Sequence, residues 1–217
     1  MKLSQRLDAI AQMIPDNSNV IDVGCDHGLL SIYLSNIKGC NCIASDVNDN
    51  ALNSARLNKE KYKSNIEIRL TDGIKGIQIN NDDYIVIAGM GTPTIKKILD
   101  NKKLSNHLII SSNNHLYELR KYIISLGYKI VDEKYIYEHN KGYVIIKFIK
   151  GKAKYSINEL KYGPFTIKNN DYLVYELEKL YKIKNKIKDS NIFVKIENQK
   201  AIKNVLKLIA NLKGKYE

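Results

Sequence analysis

Val20-Ile21-Asp22-Val23-Gly24-Cys25-Asp26-His27-Gly28 is a β-branched run that ends in two glycines bracketing an Asp-His pair. It reads as the first strand of a parallel sheet, turning through Gly24 and Gly28 into a helix that starts near Leu29. Such a turn uses glycine for unusual φ values and for bare backbone that a ligand can approach. The helix then aims its first N–H groups at the same point, so a polar or anionic ligand is expected there.

Two cofactor classes compete for that loop. A dinucleotide site needs Gly-x-Gly-x-x-Gly, whereas here Asp26 stands where the second glycine belongs. A carboxylate repels a pyrophosphate and suits the ammonium of a methionine tail, so the loop favours S-adenosylmethionine over NAD. Asp22, Gly24, Asp26, His27 and Gly28 are the first candidate cofactor residues.

Outward from the loop, Leu3, Leu7, Ile10, Ala11 and Ile14 recur at helical spacing until Pro15, which predicts an N-terminal amphipathic helix. Downstream, residues 40–46 read as a second strand ending at Asp46. In doubly wound sheets a carboxylate about 20 residues past the glycine loop accepts hydrogen bonds from ribose hydroxyls, and Asp46 and the adjacent Val47 stand there. The competing reading makes Asp46 the N-cap of the next helix, a task that Asn48 or Asp49 also suits. A third strand over 66–70 closes in Thr71-Asp72-Gly73, placing Asp72 and Gly73 where an adenine amine can be held.

Tyr84-Ile85-Val86-Ile87-Ala88 is an unbroken apolar run, as in a central strand buried on both faces. It leads into Gly89-Met90-Gly91-Thr92-Pro93, read as a second glycine loop before a helix. In open α/β sheets the ends of strands one and four flank the ligand crevice, so Ala88, Gly89, Met90 and Gly91 join the cofactor set. A fifth strand ends in Ser111-Ser112-Asn113-Asn114. After one more helix, two strands over 128–139 and 142–149 are joined at Asn140-Lys141-Gly142, a hairpin signal. The expected α/β fold is therefore a class I methyltransferase Rossmann-like seven-stranded sheet with an antiparallel terminal hairpin.

Net charge is +12 over 217 residues. Residues 151–217 hold 15 lysines against 7 acidic residues, leaving the first 150 nearly balanced. The expected division is a cofactor-binding domain over 1–150 and, over 151–217, a tail made of a basic Pro164-containing linker with a coiled-coil domain, pointing to a polyanionic partner. In the tail, Leu173, Leu177, Leu180 and Ile187, with Lys184 in the seam, and then Ile202, Val205, Ile209 and Leu212 predict an antiparallel C-terminal α-helical coiled-coil hairpin turning near Asp189-Ser190-Asn191. The first helix is too polar for a signal peptide, and no apolar run approaches the ~20 residues of a membrane span. The expectation is a cytoplasmic protein without a membrane partner. Cys25, Cys40 and Cys42 form no metal or disulfide pattern, so no metal is expected.

At this point the sequence resembles the bacterial tRNA (adenine-22 N1)-methyltransferases known as TrmK. The likeness rests on Arg6-Leu7, residues 22–27, Asp46, Arg69-Leu70-Thr71-Asp72-Gly73, Ile87-Ala88-Gly89-Met90-Gly91, Gly127-Tyr128, Asp132-Glu133 and the helical tail. The resemblance implies S-adenosylmethionine as methyl donor and tRNA as partner. It implies Arg6 at the substrate cleft. As N1 of adenine attacks the methyl group, positive charge develops on the base, and Asp26, or secondly Asn113 at the tip of strand five, is expected to stabilise it; the alternative role of Asp26 is only to orient the methionine ammonium. Lys182, Lys186, Lys203 and Lys207 are expected to meet backbone phosphates. A monomer is expected. Two departures, Thr92 after Gly91 and Ser111-Ser112 before Asn113, are expected on the substrate side of the cleft. The alternative is a methyltransferase of the same fold acting on a small molecule or a protein.

Overall fold

Helix α1 (Gln5–Gln12) starts where Ser4 accepts a hydrogen bond from the Leu7 N–H, and it buries Ala9, Ile10 and Ala11. This is a computed structural model, and it describes residues 1–100 and 104–214. Beyond Pro15 the chain alternates strand and helix: β1 (Asn19–Val23), α2 (Leu29–Lys38), β2 (Asn41–Asp46), α3 (Asp49–Lys61) and β3 (Glu67–Leu70). Then follow β4 (Tyr84–Met90), α4 (Thr92–Leu99), β5 (His107–Ser112) and α5 (Leu116–Ser125). The sheet closes with β6 (Tyr128–Glu138) and β7 (Lys141–Lys150).

The seven strands lie in the order β3-β2-β1-β4-β5-β7-β6. The first five are parallel, and β7 runs antiparallel between β5 and β6. The expected seven-stranded sheet with its terminal antiparallel hairpin is thus present. β1 and β4 are neighbours, so the chain reverses its direction of growth between them, and the ligand crevice opens above their C-terminal ends. Ile85, Val86, Ile87, Leu108, Ile109 and Ile110 are fully buried at the sheet centre, which is why these strands read as continuous apolar runs. Cys25, Cys40 and Cys42 are free thiols, all buried.

Two local readings need correction. Gly89-Met90 is not a loop: it forms the last two residues of β4, with the register against β5 shifting between Ala88 and Met90 and Gly89 at φ +83°. That is a β-bulge, one extra residue in the strand, and glycine supplies the positive φ. The hairpin also turns one residue earlier than Asn140-Lys141-Gly142, through His139 and Asn140, both at positive φ, while Lys141 pairs with Glu138 and Gly142 with Tyr137. Two consecutive positive-φ residues make the tight turn that matches strand twist.

The chain divides into two units, Met1–Lys154 and Tyr155–Glu217. The second holds α6 (Ile157–Tyr162), a 3-10 turn at Thr166–Lys168, α7 (Asn170–Lys186) and α8 (Ile192–Lys213). α6 carries a capping box in which Ser156 and Glu159 each satisfy the other's backbone N–H. α7 and α8 pack as the expected hairpin around Leu173, Ile202 and Val205. The Asn198 amide, which donates to the Leu180 carbonyl at 3.3 Å, sets their register.

Between α5 and β6, Arg120 and Glu133 form an ion pair at 2.8 Å with both side chains inaccessible to solvent. Removing one member of such a pair leaves an uncompensated buried charge. Glu133→Ala is expected to lower unfolding free energy by about 3–5 kcal/mol, read as a lower urea midpoint at unchanged m-value.

Candidate active site

The C-terminal end of β2 organises the crevice. The Ser45 carbonyl accepts from both Gly24 N and Cys25 N, at 2.8 and 3.0 Å, which pins the first glycine loop. The next residue, Asp46, uses one carboxylate oxygen for Asp26 N at 3.2 Å and the other for Asn48 N at 2.9 Å. Its carbonyl accepts from Thr71 N at 3.0 Å. Buried Ser45 adds long hydroxyl bonds, 3.4 Å each, to the Asp22 and Gly73 carbonyls. Three loops therefore hang from two consecutive residues. The capping alternative is resolved as well, because Asn48 caps α3 through the Asn50 N–H and Asp46 does not.

Within the glycine loop, Gly24 sits at φ +73°, and a Cβ there would collide with the Met90 methyl group. The β4 bulge thus brings the Met90 methyl over Gly24, and the left-handed φ at Gly24 is what favours glycine there. Asp26 is left-handed at φ +50°, a conformation that Asp tolerates better than most residues. Its carboxylate is largely exposed and lies 3.6 Å from the His27 ring.

One cleft of about 90 Å³ is lined by Arg6, Leu7, Asp22, Gly24, Asp26, His27 and Ala88, among others. That is the space of about three water molecules, enough for the small polar end of a ligand. Asp22 is the buried acid of this cleft, only 5% exposed, and Ser31 Oγ donates to it at 2.8 Å. Burial raises the Asp22 pKa to about 6, with Asp46 adding in the same direction and Ser31 opposing. Among the described residues no Lys or Arg forms an ion pair with Asp22. Burial, reinforced by Asp22 and Asp46, also keeps the Cys25 thiol protonated, so Cys25 is no nucleophile.

Arg6 reaches this cleft because α1 is tied to the hairpin: Gln5 N donates to Glu138 at 2.8 Å, and the Arg6 guanidinium lies 4.9 Å from the Tyr143 ring centre. Nothing in the sequence around Tyr143 marks it, and Ser31 reads as an ordinary helix residue. Both are contacts of the site that only the fold reveals.

The remaining candidates lie outside the 90 Å³ cleft. Val47 is 72% exposed, an apolar side chain standing open beside Asp46. Asp72 is exposed, with Lys97 at 4.0 Å, and Gly73 is buried against Ile98. Gly28 is buried against Ala55. Asn113 is exposed and donates its amide to the Gly89 carbonyl at 2.6 Å, bridging the tip of β5 to the β4 bulge. Gly91 packs near the Asn114 side chain.

Thr92, Ser111 and Ser112 are buried at 2%, 1% and 6% exposure, not turned to the substrate side as expected. The Thr92 hydroxyl bonds Ser112 Oγ at 2.9 Å and donates to the Asn114 carbonyl at 2.8 Å, and Thr92 N donates to Asn114 Oδ1 at 3.0 Å. Thr92 and Ser112 thus close a polar knot between the start of α4 and the tip of β5, while the buried Ser111 hydroxyl takes no part in it. In the second unit Lys182, Lys186, Lys203 and Lys207 are all exposed. With Asn198 level with Leu180 and about 1.5 Å rise per residue, they are strung over roughly 20 Å along the hairpin.

No helix is long and apolar enough to cross a membrane, and no group of three or more His, Cys, Asp or Glu is placed to hold a metal ion, among the described residues.

Residues 3–146 match the family described as a methyltransferase domain. A tRNA (adenine(22)-N(1))-methyltransferase of Bacillus subtilis is 34% identical over 153 residues, 67% of this chain and 64% of that protein, so the alignment spans a little under two thirds of that relative's length. Among solved structures, M. capricolum TrmK in complex with S-adenosyl-homocysteine is 32% identical, with a TM-score of 0.84 over 97% of this chain and 99% of that one. A Streptococcus pneumoniae protein described as a putative tRNA (m1A22) methyltransferase, in complex with S-adenosyl-L-methionine, is 27% identical with a TM-score of 0.84 over 96% and 100%.

Asp22 carries a pH signature of its own. Its pKa is higher in the folded than in the unfolded chain, so it weakens the fold as pH rises from about 4 to about 6, and above that the full cost of the buried charge persists. Asp22→Asn keeps an acceptor for Ser31 and removes that charge. The variant is expected to be more stable than wild type at pH 7.5, by up to about 3 kcal/mol, with the gap closing near pH 4, as measured by thermal unfolding across pH.

Proposed function

This chain belongs to the TrmK family of methyltransferases, and from that premise we propose that it methylates N1 of an adenine in tRNA, at position 22, with S-adenosylmethionine as donor. The observation that carries the reading is the juxtaposition of two unlike carboxylates, one buried and one exposed, on a loop pinned by a third.

The donor set fits the cofactor end by end. Asp22 is buried, raised in pKa and without a Lys or Arg ion pair among the described residues, and an ammonium brought into the cleft supplies a partner. Asp46 is fixed by two backbone N–H groups and keeps lone pairs free, since a carboxylate offers about four acceptor sites. Ribose hydroxyls meet it there, Val47 supplies an apolar wall for an adenine ring, and Asp72 an acceptor for its amine. A dinucleotide fits poorly, because Asp26 projects where a pyrophosphate needs bare backbone.

When bound, S-adenosylmethionine supplies a sulfonium-activated methyl group for in-line transfer to a lone pair. Adenine N1 carries such a lone pair, so alignment does most of the work and no protein nucleophile is required. Positive charge develops on the base, and Asp26, exposed and held by its own backbone N–H, stabilises it electrostatically. Asn113 positions the Gly89 carbonyl and the β4 bulge beneath the incoming base. Arg6, steadied over Tyr143, contributes a cation at the cleft for the RNA backbone. The target adenine enters unstacked, since pairing hides N1. Lys182, Lys186, Lys203 and Lys207 meet phosphates. The setting is cytoplasmic tRNA maturation by a chain that needs no metal.

The test is transfer of labelled methyl from S-adenosylmethionine to an unmodified tRNA transcript, followed by nucleoside mass spectrometry. The expected product is 1-methyladenosine. Cofactor binding with no methylated nucleoside overturns the assignment and moves small-molecule or protein substrates forward. Asp26→Asn, which tolerates the left-handed backbone, is expected to lower kcat about 100-fold while leaving cofactor affinity within threefold. Asp22→Asn is expected to weaken cofactor binding tenfold or more.

A further inference from the structure

The turn end of the helical hairpin carries apolar side chains that stay substantially exposed. On α8 Lys195, Asn198, Ile202, Val205, Ile209 and Leu212, each buried or half-buried, follow the alternating three- and four-residue spacing of a seam, flanked by half-buried Ala201, Asn204 and Leu208. Ile192, Phe193, Val194 and Ile196 fall off that seam and are 41–73% exposed. Phe193, at 73%, is the most exposed large hydrophobic side chain among the described residues. It sits in the first turn of α8, where Asn191 caps the helix through the Phe193 N–H at 2.9 Å, so its backbone is fixed. On α7, Tyr181 and Ile183 are each 44% exposed. Five lysines lie between residues 182 and 195 against one acidic residue, Asp189.

We propose that this tip is an RNA-docking surface, in which Phe193 stacks on an unpaired base of the tRNA while the neighbouring lysines hold the adjoining phosphates. The inference rests on tRNA being the substrate and goes beyond it by assigning a base-stacking contact to a residue far along the chain from the methyl-transfer loops.

Charge decides the occupant. A second copy of the same tip would bring two lysine clusters together, and like charges oppose that association. A polyanion that also offers flat apolar faces satisfies both halves of the surface: phosphates for the lysines, a base for the ring. Aromatic stacking on unpaired bases tolerates sequence and adds to the salt-dependent phosphate contribution. A phenyl ring without a hydrogen-bonding group, on a capped helix end, gives such a platform without demanding a particular base.

The test uses the full chain and an unmodified tRNA transcript, with Phe193 replaced by Ala, Leu or Trp. One stacked base corresponds to roughly 5- to 150-fold in affinity. Phe193→Ala is expected to raise the KM for tRNA about tenfold, with kcat, cofactor affinity and melting temperature unchanged. Phe193→Trp should retain wild-type KM, and Phe193→Leu should behave like Ala. The slope of log affinity against log salt should be unchanged by Phe193→Ala and reduced by Lys186→Gln. Wild-type KM in the Ala variant, or in the Leu variant, overturns the stacking contact. A dimer that Phe193→Ala dissociates, or binding to anionic phosphatidylglycerol vesicles lost in that variant at unchanged tRNA KM, reassigns the tip and overturns it too. Absence of tRNA methylation by the wild-type chain, measured first, defeats the substrate reading itself, whereas a failure confined to Phe193 leaves that reading standing.

Discussion

The crevice depends on one constraint, the satisfaction of backbone donors by Ser45 and Asp46. A tight loop that bares its backbone to a ligand has N–H groups with no strand or helix to receive them, and buried donors left unpaired are costly. Here the Ser45 carbonyl takes two of them and the Asp46 carboxylate a third. Because the same carboxylate also fixes Asn48 N, it is oriented before any ligand arrives. Preorganisation of this kind avoids reorganisation cost at binding. It also ties the ends of β1, β2 and β3 into one geometry, so that a disturbance at Asp46 reaches Asp26 through a single hydrogen bond.

The three carboxylates show how one loop system sustains different electrostatics. Asp22 lies within the protein, where desolvation penalises its charge. Asp26, four residues on, is largely open to water. Asp46 lies between them in exposure and is held by two backbone N–H groups, one on each oxygen. The fold thus keeps an acid where it is least comfortable, at the bottom of a cleft beside a second acid. Such placement lowers the stability of the empty protein and is what makes a cation welcome there, a common compromise at functional sites.

Most of this architecture is legible in the sequence because it rests on strong local signals. Unbroken apolar runs mark the central strands, Asp46 falls at the strand end that the glycine loop predicts, and a final strand pair without a helix between announces the hairpin. The misreadings share a cause: a glycine pair after a strand reads as a loop whether the chain leaves the sheet or bulges within it. Gly89-Met90 stays paired because Met90 has a place to go, over Gly24, a contact that no local pattern encodes. Thr92 and Ser112 look like polar residues beside a cleft, yet they bond each other between the start of α4 and the tip of β5, and Ser111 is buried beside them. The Ser156-x-x-Glu159 capping box is visible in the sequence, but its helix is only six residues long and sits in a stretch that Pro164 and basic residues make look like a linker.

The second unit shows a different economy of packing. About 60 residues enclose few side chains, and small units gain little from burial. The buried positions Tyr162, Tyr172, Leu173, Ile202 and Val205 cluster near one end of the hairpin, and beyond Asn198 the seam thins to half-buried Lys195. A seam weakened by Lys195 could have been completed with leucine there. Instead the apolar residues stand off the seam, with 41–73% of their surface open to water. An isolated exposed Leu or Ile is ordinary. A cluster at the end of a capped helix, ringed by lysines and set outside its own packing register, is a surface that folding alone does not explain.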